Sequence, residues 1–371
     1  MDDRRPSAAE VHDQGSVARL IKYSFLKSVS YIITLLPFEK QFTCGDNETI
    51  LEAAIKQGFN LRYGCKHGGC GMCKAQVVEG EVDNTEASSF ALLDFEKQQG
   101  LSLLCCAYPE SDVSIELWDY DEADLVAEFA VGQFEAEVEK ITGLTHDIRG
   151  IQLRLIEPQR IEFKAGQYID LLVPGTTEWR SYSMANPPSR RDTVEIMIKL
   201  MPGGLFSSYV ENTLKAGERL TLRGPYGNFY LRDTRGEAVF IAGGSGMAPI
   251  LSLLRDMVEQ KDSRPVTYFY GARTRRDLFA LDELHGFEQR LPHFRFVPAL
   301  AEATTDDAWA GQTGLITDVV KRVVSRGGEK QAYMCGPTAM IDAAIVTLQK
   351  LGVEEKDIFY DKFVTKADTA A

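Results

Sequence analysis

The tightest constraint on this chain is a set of cysteines embedded among glycines. Residues 64–74 read GCKHGGCGMCK, so Cys65, Cys70 and Cys73 follow the pattern C-x4-C-x2-C, and Cys105 comes after 31 intervening residues. Five of the seven cysteines lie in this region, with Cys106 beside Cys105 and only Cys44 and Cys335 apart. An odd count in a 371-residue chain does not suit a disulfide scaffold, and such clustering points to metal ligation in a reducing compartment. A structural zinc site would ordinarily take two C-x2-C knuckles, and only one is present. Glycine-rich loops also make poor cores, which disfavours inert buried thiols. The spacing is that of a [2Fe-2S] cluster. Glycines at 64, 68, 69 and 71 let the backbone fold tightly and aim N–H groups at the sulfides, favouring the reduced state. His67 reads as a solvated loop histidine, since four cysteines are at hand and no second histidine pairs with it. Spacing alone does not separate Cys105 from Cys106.

The chain length predicts two or three domains. Apolar residues make up 44% and charged residues 26%, which excludes wholesale disorder. A net charge of −13 argues against nucleic acid or an anionic membrane as partner. The opening MDDRRPSAAE lacks the pattern of a signal peptide, and Lys22, Lys27 and Pro37 interrupt the one apolar stretch, so a soluble cytoplasmic protein is expected.

Residues 1–28 read as an arm, with a short helix between Val17 and Lys27. A first domain is expected over 29–120, where the strands YIITLL and FEKQFT precede a Thr49-Ile-Leu-Glu52 capping box. Within it 14 acids face six basic residues, an imbalance suited to docking on a basic partner surface. The acidic, poorly patterned stretch 121–133 reads as a linker. Over 134–234 short alternating runs (FEAEVEKI, IQLRLI, QYIDLLV, VEIMIKL, RLTLRG) predict an antiparallel barrel. From 235 to 371, AVFIAG, VTYFYGAR, FRFVPAL and QAYMCG alternate with helical segments and predict a parallel α/β sheet.

Three further motifs carry chemistry. RSYSMAN (180–186), expected in a turn after QYIDLLV, offers an arginine for phosphate, an aromatic ring and a hydroxyl. Gly243 to Pro249 read GGSGMAP between an apolar strand and a helix, a variant of the dinucleotide fingerprint in which glycines allow close approach to a pyrophosphate. Cys335 lies in YMCGPTAM at a strand end, where the plain reading is a buried small hydrophobe. After VTYFYG come Arg273, Arg275 and Arg276 with no acid for a ribose 2′-hydroxyl, which by itself leans toward NADPH.

The cysteine loop and the phrase GLSLLCCAYP resemble the ferredoxin-like domain of bacterial monooxygenase reductases, and RSYS resembles the R-x-Y-S signature of the ferredoxin–NADP reductase superfamily. The resemblance implies a β-grasp-like plant-type ferredoxin domain, an antiparallel FAD-binding barrel and a parallel NAD-binding domain. It assigns Cys65, Cys70, Cys73 and Cys105 to the metal. Arg180 goes to the FAD pyrophosphate, Tyr182 to the ring stack and Ser183 to the flavin N5 edge. Gly204 and Ser207 match the G-x-x-S element at a helix N-terminus. GPYGNF (224–229) matches a structural strand. Gly243, Gly244, Gly246, Pro249 and Arg273 fall to the nicotinamide cofactor, with Cys335, Gly336, Pro337 and Phe363 beside its ring; relatives with similar arginines use NADH. Asp361 stands where the family usually has Glu. Ser183, Cys335 and Phe363 are the candidate catalytic contacts.

Together these imply the reductase of a soluble diiron monooxygenase, of the phenol- or propane-oxidising kind, serving a separate hydroxylase and a coupling protein. The alternatives are a ring-hydroxylating dioxygenase reductase and a redox-sensing interaction module.

Overall fold

The computed structural model describes residues 29–118, 120–233, 236–304 and 308–364, so the expected arm and its helix lie outside the described residues. In the first unit, β1 (Ser30–Leu36) turns back into antiparallel β2 (Lys40–Gly45). Helix α1 (Ile50–Lys56) starts at the predicted capping box: the Thr49 hydroxyl accepts from the Glu52 N–H, and the Glu52 carboxylate accepts from the Thr49 N–H. After the cysteine loop come β3 (Lys74–Glu79), β4 (Val82–Asp83), α2 (Asp94–Gln98), β5 (Leu101–Leu103), β6 (Tyr108–Pro109) and β7 (Val113–Glu116). The main sheet has the order β2-β1-β7-β3-β5, with β1 and β7 parallel, and α1 buries Ile50, Leu51, Ala53 and Ala54 in the core beneath it.

The stretch 121–133 is more than a bare connection. Leu125 is fully buried in the first core, its carbonyl accepts from the Asn60 N–H at 2.8 Å, Val126 bridges Phe59, and the Ala127 N–H donates to the Gly58 carbonyl. An acidic run concealed one apolar anchor.

The barrel comprises β8 (Gly132–Gly143), β9 (Ile148–Glu157), β10 (Tyr168–Leu172), β11 (Trp179–Ser183), β12 (Thr193–Lys199) and β13 (Arg219–Tyr226), with α3 (Leu205–Asn212) between the last two. Its order is β11-β10-β13-β8-β9-β12, and a bridge from Met184 to Ile196 joins the two edges. The expected turn at RSYS is instead the strand β11, paired with β10 from Tyr168↔Ser183 to Leu172↔Trp179. Its residues lack apolar alternation, but the open edge of β10 needs a partner for its backbone groups.

The third unit is an all-parallel sheet of order β17-β16-β15-β14-β18-β19. Its strands are β14 (Glu237–Gly243), β15 (Val266–Ala272), β16 (Phe294–Leu300), β17 (Gln312–Thr313), β18 (Lys330–Pro337) and β19 (Ile358–Phe363). The helices are α4 (Met247–Gln260), α5 (Leu281–Arg290), α6 (Ile316–Val323) and α7 (Thr338–Lys350). The unbroken apolar run of β14 serves two cores: Ala238, Phe240 and Ala242 pack on the side of α4 and α5, Val239 and Ile241 on the side of α6 and α7. The motifs at Gly243, Cys335 and Phe363 therefore share the carboxyl end of the sheet. Among the described residues, no helix is long and apolar enough to cross a membrane.

Candidate functional site

The loop thiols fall into two pairs. Cys65 and Cys70 adjoin, the backbone N–H of the first reaching the thiol of the second, and Cys73 Sγ lies 3.2 Å from Cys105 Sγ. Two pairs of sulfurs suit two irons that each need two protein ligands. The Gly69 N–H points at Cys65 Sγ from 3.3 Å and the Cys65 N–H at Cys70 Sγ from 3.4 Å, so the backbone already donates to sulfur. Hydrogen bonding from Cys70, ahead of the opposing effect of burial, pulls the Cys65 thiol below its ordinary range. His67 Nδ1 donates to the Cys65 carbonyl at 2.6 Å, and its ring is exposed.

Cys105 and Cys106, which spacing alone does not separate, lie beyond the end of β5. In the turn there the Cys106 N–H bonds the Leu103 carbonyl at 2.8 Å and the two sulfurs stand 3.8 Å apart. Cys106 Sγ fills the space left by Gly68: a Cβ there would sit 2.7 Å from it, and the φ of +75° independently favours glycine.

At the barrel edge the Tyr182 ring lies 5.6 Å from that of Phe206, and the Arg180 guanidinium bonds Glu178 at 2.9 Å and the Trp179 carbonyl at 2.8 Å. Gly204 is the N-cap of α3, leaving the first N–H groups of that helix for an anion. The Ser207 hydroxyl is engaged with the backbone, accepting from the Met201 N–H at 2.9 Å, so it frames this turn. Just beyond Ser183 the barrel signature meets the nucleotide unit: the Ala185 carbonyl accepts from the Arg255 guanidinium at 2.9 Å and the Asn186 carbonyl from Ser252 Oγ at 2.7 Å. Burial, then Asp361, raises the Cys335 thiol well above its usual range, so it stays uncharged.

The glycines of the nucleotide turn divide the work. Gly244, at φ +57°, faces open space, room for a phosphate. A Cβ on Gly246 would sit 2.2 Å from the Cys335 carbonyl oxygen, so this glycine lets the turn approach β18. Gly336 approaches Gly243 less tightly, with a Cβ position 3.0 Å from the Gly243 oxygen. A Cβ on Gly243 would stand 3.0 Å from Met340 Sδ, and Pro249 is buried in the first turn of α4. Phe363 pairs with Pro337 across the sheet and is 37% exposed, beside Cys335 and Gly336. Arg273 is largely exposed with Glu302 at 4.0 Å, an acid in the turn that follows the neighbouring strand β16 and so distant from Arg273 in sequence.

The residues that join the units were also missed. Lys66 Nζ lies 2.6 Å from Asp170 Oδ2 in β10, the Tyr168 hydroxyl donates to the Gly64 carbonyl at 3.2 Å, and the Gly227 N–H donates to the Tyr63 hydroxyl at 3.0 Å. Asp170 inside the apolar run QYIDLLV was the available signal. On the third unit, Asp361 is buried and lies opposite Cys335, and burial pushes its carboxyl up to about 7. The cysteine loop is thus joined directly to the barrel, and the barrel to the nucleotide unit. A cleft of about 1010 Å³ between the first unit and the barrel is lined by Phe59, Lys66, Cys105, Arg223 and Tyr226; it borders the cysteine loop and is separate from Arg180 and Tyr182.

Three family models match in sequence order: a 2Fe-2S iron-sulfur cluster binding domain over 33–110, an oxidoreductase FAD-binding domain over 135–230 and an oxidoreductase NAD-binding domain over 240–345. The chain is 42% identical to the reductase component of phenol 2-monooxygenase from Pseudomonas sp. strain CF600, over 92% of this chain and 97% of that protein. It is 41% identical to the reductase component of propane 2-monooxygenase from Mycolicibacterium smegmatis, over 91% and 98%. Identity falls to 31% with the toluate 1,2-dioxygenase electron transfer component of Pseudomonas putida, over 86% and 94%. Among solved structures, the Amycolatopsis cytochrome P450 reductase superposes with a TM-score of 0.79 at 31% identity, over 90% of this chain and 99% of that one.

Proposed function

We infer the function from family membership: the chain belongs to the reductase components of bacterial phenol and propane monooxygenases, within the ferredoxin–NADP reductase superfamily and with an N-terminal 2Fe-2S domain. It is an NADH-dependent flavin and iron–sulfur oxidoreductase that passes electrons by way of FAD and a [2Fe-2S] cluster to a hydroxylase component. When bound, these groups take electrons as a pair from NADH and release them singly. Lower identity to dioxygenase components favours the monooxygenase reading.

To this chain's residues we assign the following parts. Cys65, Cys70, Cys73 and Cys105 hold the cluster, a reading supported by their two thiol pairs. Arg180 neutralises the FAD pyrophosphate with the N–H groups that follow Gly204, Ser207 frames that turn, Tyr182 covers the ring and Ser183 bonds its N5 edge. Gly243, Gly244, Gly246 and Pro249 shape the NADH phosphate turn, Arg273 serves its adenosine end, and Cys335, Gly336, Pro337 and Phe363 form the nicotinamide surface. The domains span 29–120, 134–234 and 235–371, with 121–127 adhering to the first. The partner is a diiron hydroxylase with a small coupling protein.

The observation that carries this reading is the joining of the three units by direct contacts, the cysteine loop to the barrel through Lys66–Asp170 and Gly64–Tyr168, and the barrel signature to the nucleotide unit through Ala185–Arg255 and Asn186–Ser252. The test is pull-down from native cells with identification of the bound subunits. Diiron hydroxylase subunits are expected; Rieske oxygenase subunits would move the protein to the dioxygenase class.

A further inference from the structure

We propose that Lys66 and Asp170 are positioning residues for electron passage from the flavin unit to the cluster: their buried ion pair fixes the cysteine loop against the barrel and, with Arg223, leaves surplus positive charge beside the cluster. The inference rests on the ligand assignment given above.

Lys66 directly follows the first cysteine of the loop and holds a φ of +59°, a conformation that non-glycine residues adopt at a cost. Its ammonium lies 2.6 Å from Asp170, 3.8 Å from the centre of the Tyr226 ring and 5.1 Å from that of Tyr168. The Asp170 side chain is 1% exposed and also accepts from Ser181 Oγ at 2.6 Å and Arg223 Nε at 3.2 Å. Ser181 stands between Arg180 and Tyr182 in β11. One buried carboxylate therefore ties the neighbour of a cluster ligand to the strand of the flavin signature.

A buried ion pair adds little net stability, because desolvation offsets its attraction; its better attested use is to fix one arrangement among several. Here the arrangement is the separation of two redox groups. Two cations share one anion, and the excess charge favours an added electron nearby.

The test uses the full-length holoprotein with Lys66→Met, Lys66→Arg, Asp170→Asn and the neutral double variant Lys66→Met/Asp170→Asn. Flavin and cluster reduction are followed separately after anaerobic mixing with NADH, together with iron content and cluster midpoint potential. Lys66→Met and Asp170→Asn are expected to slow cluster reduction about tenfold or more, as a small misplacement does, with flavin reduction and iron content parental. Lys66→Met lowers the midpoint and Asp170→Asn raises it, opposite signs that a purely structural contact would not produce. Lys66→Arg restores much of the rate. The double variant retains its iron, with no charge left unpaired between the two, and stays slow. Parental cluster reduction in the single variants, unchanged potentials, an Lys66→Arg as slow as Lys66→Met, or loss of iron in the double variant would each overturn the proposal. Failure of the ligand assignment looks different: Cys105→Ser would then keep the parental iron content and visible spectrum.

Discussion

Asp361 offers a sharp electrostatic test, because its carboxyl is buried and burial alone raises it from its ordinary 3.8 to about 7. The folded protein thus holds a proton that the unfolded chain releases across that interval. Stability from this group is fully present below about 3.8 and is lost as pH rises through about 7. Each pH unit inside the window is about 1.4 kcal/mol, so the full loss above it is on the order of 4 kcal/mol. Asp361→Asn keeps the shape and removes the titration. Between pH 5.5 and pH 8 the variant should therefore gain about 2 kcal/mol on the parent. In a domain of about 150 residues that is on the order of 4–8 °C of thermal midpoint. Calorimetry of both holoproteins at the two pH values, resolving the transition of the nucleotide unit, measures it. Two parallel pH profiles would refute the reasoning, since Asp361 would then be charged in the fold and held by a partner.

Three further outcomes follow from the same geometry. Gly246→Ala drives a methyl into the Cys335 carbonyl and should destabilise the nucleotide unit by about 1–3 kcal/mol in thermal unfolding, whereas Gly244→Ala meets no neighbour, costs only about 1 kcal/mol for its left-handed φ, and should raise KM for NADH in steady-state assays. Cys105→Ser should lose or badly perturb the cluster while Cys106→Ser preserves its visible spectrum. The reverse pattern would move the fourth ligand by one residue. Turnover with the hydroxylase should fall as added salt shortens the Debye length below about 8 Å, because the first unit carries 14 acids against six basic residues. A flat salt response in that assay would remove electrostatic steering.

What could be read in advance was what local chemistry dictates. The capping box at Thr49, the alternating barrel runs and the unbroken apolar β14 each announce themselves within a few residues. What stayed hidden depends on distant partners. WRSYS has no strand pattern and becomes β11 only because β10 presents an unpaired edge. The orientation of Cys106 follows from a notch at Gly68, 38 positions away, and the role of Asp170 from a lysine 104 residues earlier. Leu125 looked like one apolar residue in an acidic stretch until the first core closed over it.

That closure limits how far the iron–sulfur unit can travel. With the chain pinned to this unit as far as Ala127 and the barrel starting at Gly132, residues 128–131 alone are left as a tether. Fully stretched, such a tether spans no more than about 18 Å. The cluster is therefore no shuttle on a long arm. A large oxygenase must come to it and take its electrons with the flavin and nicotinamide units still close behind, so the outer face of the reductase has to fit its partner as a whole.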